Sequence, residues 1–232
     1  MHTFFWESWK NKLMNLHKLQ KKIKYGFKNI DLLTLALSHK SSNNTDNNER
    51  LEFLGDSILN SVISQYLFLK FPLVKEGQLT RMRSYLVKGE TLTKKANQIN
   101  LIDHISLSKG TSNLSKERKS SILEGSIESI IGAVFLDSSW EQVNIFVLNF
   151  FNDELSQIKS DQEFRDSKTE LQELLQSKKL NPPKYVTVDS TKGFNSQIKL
   201  NKENFSSFGS SKRQAEIAVA KQALKYLKEQ NG

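Results

Sequence analysis

Two stretches of the sequence carry carboxylates at a spacing that could hold a metal ion. In the first, NNERLEFLGDSIL (residues 47–59), Glu52 and Asp56 are four residues apart and Glu49 comes three residues earlier. On a helix, residues i and i+4 leave the same side about one turn apart. The residues between these acids are mostly apolar, so little of the helix remains for a purely solvated face. Acids in such surroundings are costly unless a cation or hydrogen bonds compensate them.

The second stretch, SILEGSIESIIGAVFLD, repeats the pattern with Glu124 and Glu128, and no Lys or Arg occurs from residue 120 to 137. Its small residues, such as Gly132, would let another helix approach closely. Two such helices favour a cation site over the alternative, an acidic edge paired with Arg50. The chain has no Cys and only 4 His, so oxygen ligands predict Mg²⁺, with Mn²⁺ as the alternative, and not zinc.

Composition indicates the partner of such a site. The 232 residues contain 34 Lys and Arg against 25 Asp and Glu, a net charge of +9, which suggests a polyanion. Residues 166–232 hold 12 of the basic and 7 of the acidic residues, over half of the excess. A carboxylate-bound magnesium in a protein made for a polyanion suggests phosphodiester chemistry.

The location is predicted from what the sequence lacks. No apolar run reaches the roughly 18 residues that span a bilayer, and the N-terminus does not read as a secretory signal. The absence of cysteine favours a cytoplasmic protein, and the lack of a spanning run predicts that it has no membrane partner.

The pattern of apolar residues predicts two domains. From residue 13 to 158 these residues recur at helical spacing, which predicts an all-α domain. Residues 159–167 are polar and charged, as in a linker. Residues 168–230 predict a small α+β module of order α-β-β-β-α, whose last helix has Ser210 or Ser211 as its N-cap.

These stretches are similar to the motifs of a known family. NNERLEFLGDSIL resembles the signature of bacterial ribonuclease III nearly residue for residue. The likeness continues in ALSHKS (36–41), in EGQLTRMRSYLVKGETL (76–92) and in ILEGSIESIIGAVFLDS (122–138). The C-terminal module resembles a double-stranded-RNA-binding domain, with TELQELLQ near its start and GSSKRQAEIAVAKQAL near its end.

The resemblance implies a homodimeric, magnesium-dependent endonuclease that cuts double-stranded RNA, including ribosomal-RNA precursors, to 5′-phosphate and 3′-hydroxyl ends. It makes Glu52, Asp56 and Glu128 metal ligands, with Asp56 and Glu128 the most critical for cleavage. Glu49 and Glu76 match supporting acids of the catalytic valley. In the family the signature helices also form the dimer interface.

One position departs from the family pattern. Three residues before Glu128 the family commonly has Asp, whereas this chain has Gly125. One hypothesis is that Glu124 or a water fills the vacancy, and the favoured alternative is that Glu124 is a bystander acid. If the vacancy matters, Gly125→Asp should lower the magnesium that cleavage needs. The vacancy also motivates an alternative function, a double-stranded-RNA-binding protein with weakened or lost catalysis.

The RNA-binding residues follow from the likeness of the C-terminal module. Duplex RNA is recognised by shape, 2′-hydroxyls and phosphates. Lys212 and Arg213 lie in the first turn of the last helix, where the helix dipole also favours an anion. Thr169, Glu170 and Gln172 match positions that touch the minor groove in the family.

Two further regions could contribute to RNA binding or to catalysis. The family's loop between the first two strands usually carries His, and here Lys192 or Asn195 is the expected substitute, or RNA affinity is lower. His39, in ALSHKS, could be a general base, but a structural role is the favoured interpretation.

Overall fold

The computed structural model describes residues 2–42, 46–108, 114–159, 167–200 and 203–229, and for residues 2–12 it describes the backbone alone. The chain divides into two compact units, Met1–Gln162 and Glu163–Gly232. The first unit is helical, and the second combines helices with a three-stranded sheet. This confirms the predicted fold class. Residues 160–166 of the expected linker lie outside the described part of the chain.

In its described residues the first unit is built from α-helices and one 3₁₀ turn. The helices are α1 His2–Ile23, α2 Ile30–Ala36, α3 Glu49–Lys70, α4 Glu76–Leu86, α5 Gly89–Gln98, α6 Lys116–Asp137, α7 Trp140–Phe150 and α8 Asn152–Gln157. The 3₁₀ turn is Leu101–His104. The aromatic N-terminal segment therefore lies in a helix.

Helix α6 runs through the core of this unit, and most of its residues from Ile122 to Val134 are buried, which explains why this part is largely apolar apart from its two acids. It packs against α2, α3, α5 and α7. Helix α3 buries Leu59, Val62 and Ile63 completely. Its acids therefore lie at the amino-terminal end, before the fully buried part begins.

Local sequence explains where these helices begin and end. The Ser115 hydroxyl accepts a hydrogen bond from the Arg118 backbone N–H (3.3 Å) and caps α6. Helix α3 ends just before Phe71, because Pro72 disfavours helical geometry in the residue that precedes it.

The apolar stretch that closes the first unit forms two helices, because the chain breaks between α7 and α8 at Phe151. Phe151 is fully buried, and its N–H bonds to the Val147 carbonyl (3.0 Å). The apolar pattern continues through the break, so periodicity does not reveal it.

The second unit has the order α9 Ser167–Ser177, β1 Tyr185–Ser190, β2 Gly193–Leu200, β3 Glu203–Gly209 and α10 Lys212–Glu229. The sheet is antiparallel in the order β1-β2-β3. Its core joins Leu171 and Leu175 of α9 to Ile198, Phe205 and Leu224. The Gln214 N–H bonds to the Ser211 hydroxyl (3.3 Å), so Ser211 is the N-cap of α10.

Candidate active site

Helices α3 and α6 cross with their backbones nearly in contact. A Cβ atom at Gly55 would overlap the carbonyl of Glu128, and one at Gly132 would overlap the carbonyl of Leu51. The small residues of α6 therefore permit the close approach that the sequence predicts. The crossing sets Glu128 of α6 beside the stretch of α3 that carries Glu52 and Asp56.

These acids line one cleft of about 470 Å³ on the first unit. The lining residues that matter here are His39, Lys40, Glu49, Glu52, Phe53, Asp56, Gly125 and Glu128. The structure therefore brings together four of the five acids that the resemblance assigns to the catalytic valley. Glu76, the fifth, is exposed in the first turn of α4, does not line this cleft, and accepts a hydrogen bond from the Thr80 hydroxyl (2.9 Å).

Glu124 does not line the cleft either. Its carboxylate lies against Gly89, the first residue of α5: a Cβ built there would be 2.5 Å from Glu124 Oε2. The amino end of a helix favours negative charge, which suits this placement. No contact in the structure therefore supports the hypothesis that Glu124 fills the vacancy at Gly125.

Burial and crowding raise the pKa values of the acids around the cleft. For Glu128, burial and then the negative charges of Asp56, Glu124 and Glu52 raise the pKa from 4.5 to about 8. Burial also raises the pKa values of Glu52 and Glu124. Burial, and to a smaller extent mutual repulsion, therefore disfavours the ionised carboxylates, and a bound cation would offset both effects.

Lys40 provides part of the positive charge that would compensate these acids. It is not among the site residues predicted from the sequence. Of the described residues that line the cleft, it is the one Lys or Arg. Its ammonium donates to Glu49 Oε1 (3.0 Å), and this contact lowers the pKa of Glu49. Both side chains are largely exposed, so the pair contributes little to stability. The signal in the sequence was a lysine in ALSHKS beside His39.

His39 and Asn60 complete the surroundings of the acids. His39 Nδ1 lies 2.9 Å from the Ser41 hydroxyl, and burial lowers the pKa of its ring, which favours the neutral form. This suits the structural role favoured from the sequence. The Asn60 amide donates to Asp56 Oδ1 (2.8 Å) one turn along α3 and so orients a candidate ligand.

The chemistry of the donors fits a hard divalent cation, because the cleft acids offer several carboxylate oxygens and no sulfur. In the described part of the chain, no three Asp, Glu or His side chains converge into a group that could hold a metal ion. Chelation therefore requires side-chain rotation.

The expected RNA-contacting residues of the second unit divide into exposed and buried ones. On α9, Thr169 and Gln172 are exposed. Glu170 is buried and pairs with Lys228 of α10 (3.0 Å). Glu173 and Gln176, which the sequence analysis did not single out, are exposed at the helical spacing that continues the stripe of Thr169 and Gln172.

The other RNA candidates lie at the start of α10 and at the first hairpin. Lys212 and Arg213 are exposed in the first turn of α10. Lys192 is exposed in the two-residue turn between β1 and β2. Asn195 accepts a hydrogen bond from the Ser206 hydroxyl (2.9 Å), which leaves Lys192 the more available of the two proposed substitutes.

Comparison with known families supports both units. The family model described as Ribonuclease-III-like matches residues 29–155, and the double-stranded RNA binding motif matches residues 167–227. Ribonuclease 3 of Hahella chejuensis is 42% identical over 216 residues, which cover 90% of this chain and 95% of that protein. Ribonuclease 3 of Vibrio parahaemolyticus is 41% identical over 220 residues, with 91% and 97% covered.

Solved structures agree with the sequence matches. The nuclease domain of ribonuclease III from Campylobacter jejuni is 40% identical, has a TM-score of 0.58, and covers 62% of this chain and 97% of that one. A second structure of that domain, described as showing flexibility in a region involved in dimer formation, is 41% identical, with a TM-score of 0.56 and coverage of 59% and 95%.

The fold and the cleft thus define a helical nuclease domain followed by a double-stranded-RNA-binding domain. None of the helices in the described part of the chain has the length and apolarity that crossing a bilayer requires. The chain belongs to the ribonuclease III family of double-stranded-RNA endoribonucleases.

Proposed function

We propose that the protein hydrolyses double-stranded RNA with Mg²⁺, or with Mn²⁺ in its place, and leaves 5′-phosphate and 3′-hydroxyl ends. One observation carries this proposal: Glu128 reaches a pKa of about 8 in a cleft shared with three other acids, in a protein of net charge +9. The acids of the cleft would bind a divalent cation, and the positive charge of the protein would attract the polyanion whose phosphodiester that cation contacts.

The proposal assigns roles to the residues of the cleft. Glu52, Asp56 and Glu128 hold the cation, and Asp56 and Glu128 are the catalytic pair. When bound, the cation supplies charge neutralisation on the phosphate and a more acidic water. The Asn60 amide keeps Asp56 oriented, and Lys40 holds Glu49 at the margin of the cleft. Glu76, which lies outside the cleft on α4, is proposed as a supporting acid.

The proposed enzyme acts as a homodimer. Phe53 lines the acidic cleft and yet is 78% exposed, and Phe68 and Leu69 of the same helix are similarly exposed. Large apolar side chains exposed at this level mark interaction surfaces. A second copy placed against α3 would bury them and set two acidic clefts near one RNA duplex.

The second unit holds the duplex in this proposal. Thr169 and Gln172 on α9, with Lys192 in the hairpin turn, contact the minor groove, and Lys212 with Arg213 contact phosphates. Glu170 acts through its pair with Lys228, which ties α9 to α10, since its carboxylate is largely buried there.

The proposal includes domain limits, substrates and location. The catalytic domain spans residues 13–158, the linker 159–167 and the RNA-binding domain 168–230. The cellular substrates are ribosomal-RNA precursors and other structured RNAs, and the cytoplasm is the site of action.

The test is cleavage of long double-stranded RNA by the full chain, with Mg²⁺, with Mn²⁺ and with EDTA. We expect cleavage with either metal and none with EDTA, and mass spectrometry should find 5′-phosphate and 3′-hydroxyl ends on the products. Glu128→Gln should bind the same RNA without cutting it. Binding without cleavage by the unmodified protein in both metals would favour the alternative of an RNA-binding protein that has lost catalysis.

A further inference from the structure

The space beside Gly125 is filled by a carboxylate from the facing helix. A Cβ atom built at position 125 would lie 2.6 Å from Oε2, 2.7 Å from Cδ and 3.0 Å from Oε1 of Glu52. These are the three heavy atoms nearest to that Cβ, and all belong to one side chain. Any residue other than glycine at position 125 would therefore displace the Glu52 carboxylate.

Helix α6 has no acid of its own that takes this space. The Glu124 carboxylate is turned to Gly89 of α5, 2.5 Å from the Cβ position there. Gly125 and Glu128 both line the cleft, and so does Glu52, whereas Glu124 does not. The carboxylate that lies against α6 at position 125 thus comes from α3.

We propose that Gly125 is a positioning residue, whose missing side chain seats the Glu52 carboxylate against α6 at the cation site. Glu52 then supplies, from across the helix crossing, the carboxylate that an acid at position 125 would otherwise supply. The inference rests on the proposed function, because it assigns the seat to cation binding. It also reverses one expectation from the sequence, namely that Gly125→Asp improves the site.

The reversal follows from space and charge. An Asp side chain at position 125 would start at a Cβ that the Glu52 carboxylate already crowds. Its negative charge would also repel the crowded Glu52 carboxylate, so Glu52 would turn away from position 125 and not remain as a further ligand beside the new acid. The new acid therefore displaces one ligand as it adds another, and it gives no net gain in cation affinity.

The first experiment tests, in the absence of metal, whether position 125 accommodates the Glu52 carboxylate. Thermal unfolding of the full chain in EDTA compares the wild type with Gly125→Ala, Glu52→Ala and the double variant. Because the Glu52 carboxylate is the end of a flexible side chain, we expect the change in Tm caused by Gly125→Ala to be less favourable in the wild-type background than in the Glu52→Ala background, where no carboxylate is displaced. The double variant stays informative even where Gly125→Ala alone does not fold.

Gly77→Ala is the matched control for replacing a helical glycine. A Cβ at Gly77, in the first turn of α4, would have its nearest neighbour at 3.7 Å, the flexible guanidinium of Arg81. Alanine there should maintain or raise the Tm, because alanine favours the helix more than glycine does. The same change in Tm from Gly125→Ala in both backgrounds would overturn the proposal, since Glu52 would then not be the side chain that position 125 accommodates.

The second experiment measures Mn²⁺ binding to the RNA-free protein by isothermal titration. We expect Gly125→Ala to weaken binding about tenfold, which is the size of effect seen when residues that orient metal ligands are lost. The shorter acid in Glu52→Asp/Gly125→Ala should recover part of that loss, because its carboxylate ends one methylene earlier. Gly125→Asp should bind Mn²⁺ no more tightly than the wild type.

The outcomes separate this inference from the function on which it rests. Tighter Mn²⁺ binding by Gly125→Asp, with binding by Gly125→Ala unchanged, would show that position 125 merely lacks a ligand. This result would overturn the proposal that Gly125 positions Glu52. If the wild type binds no Mn²⁺ while the Tm comparison behaves as expected, the proposed metal-dependent function is refuted. The proposed role of the Glu52–Gly125 contact in cation binding is then refuted as well. The packing of Glu52 on Gly125 would then remain a purely structural contact.

Discussion

The carboxylate of Glu124 lies against Gly89 of a neighbouring helix, while Glu128, four residues later on the same helix, lines the acidic cleft. The i, i+4 spacing places the two acids on one side of α6. Their surroundings nevertheless differ, because Glu124 lies against α5 and Glu128 lies in the cleft beside α3. The two acids therefore have different functions: Glu128 is a candidate ligand, and Glu124 contributes charge from outside the cleft.

The first prediction concerns Glu124. We expect Glu124→Ala to change the Mg²⁺ concentration for half-maximal cleavage by less than about fivefold, because the variant removes a neighbouring charge and no ligand. Glu128→Gln is the comparison, and it should lower the cleavage rate by more than about 100-fold. Magnesium titrations of cleavage rate on one RNA duplex measure both. Equal losses from the two variants would make Glu124 a ligand after all.

The second prediction concerns the pH dependence of stability in EDTA. The pKa of Glu128 is raised from 4.5 to about 8, so the folded protein holds this proton more tightly than the unfolded chain does. The stability that this provides is complete below pH 4.5, is lost as pH rises, and is fully lost above pH 8. Gln mimics the protonated acid, so Glu128→Gln should match the wild type at pH 4 and exceed it at pH 9.

The expected gain of Glu128→Gln at pH 9 is about 1 to 2 kcal/mol in the free energy of unfolding, because solvent reaches part of the carboxylate and screens the full shift. Urea unfolding at pH 4, 7 and 9 measures it, and saturating Mg²⁺ should stabilise the wild type and narrow the difference. A gain of the same size at all three pH values would mean that packing, and not ionisation, distinguishes the variant.

How much the sequence revealed depended on the kind of contact. The position of α3 and its end before Pro72 are encoded locally, because helical periodicity and a proline both act within one segment. The direction of Glu124 depends on Gly89, a residue of another helix, and no local pattern encodes it. Glu170 shows the same limit, since its partner Lys228 lies in another helix of the second unit.

The third prediction concerns the association of two copies. Phe53 is 78% exposed beside the cleft acids, and an aromatic anchor of this kind can contribute 2 kcal/mol or more to an interface, by a rough estimate. We expect Phe53→Asp to raise the dimer dissociation constant by at least about 30-fold and to reduce cleavage in parallel. Analytical ultracentrifugation over a range of protein concentrations measures the dissociation constant.

Val186→Asp is the control for the association experiment, because Val186 is 61% exposed on β1 of the second unit and the substitution makes the same change from apolar to acidic. It should leave the dissociation constant unchanged. A Phe53→Asp protein that dimerises like the wild type would place the interface elsewhere on the first unit.

The fourth prediction concerns phosphate contacts at the start of α10. Lys212 and Arg213 are exposed where the helix dipole also favours an anion, so both should neutralise RNA phosphates. In the Glu128→Gln background, Lys212→Ala and Arg213→Ala should each weaken binding at low salt. Each should also reduce the slope of log K against log salt concentration by about 1. Fluorescence anisotropy at several KCl concentrations measures the slope.

Lys225→Ala is matched in charge and lies on the same helix, but its side chain is 80% exposed and pairs weakly with Glu229 (3.9 Å) one turn away. Because Lys225 lies more than three turns from the amino end of α10, its loss should leave the slope unchanged. If all three variants reduce the slope equally, then RNA senses the overall charge of α10. The N-terminal turn would in that case provide no defined phosphate site.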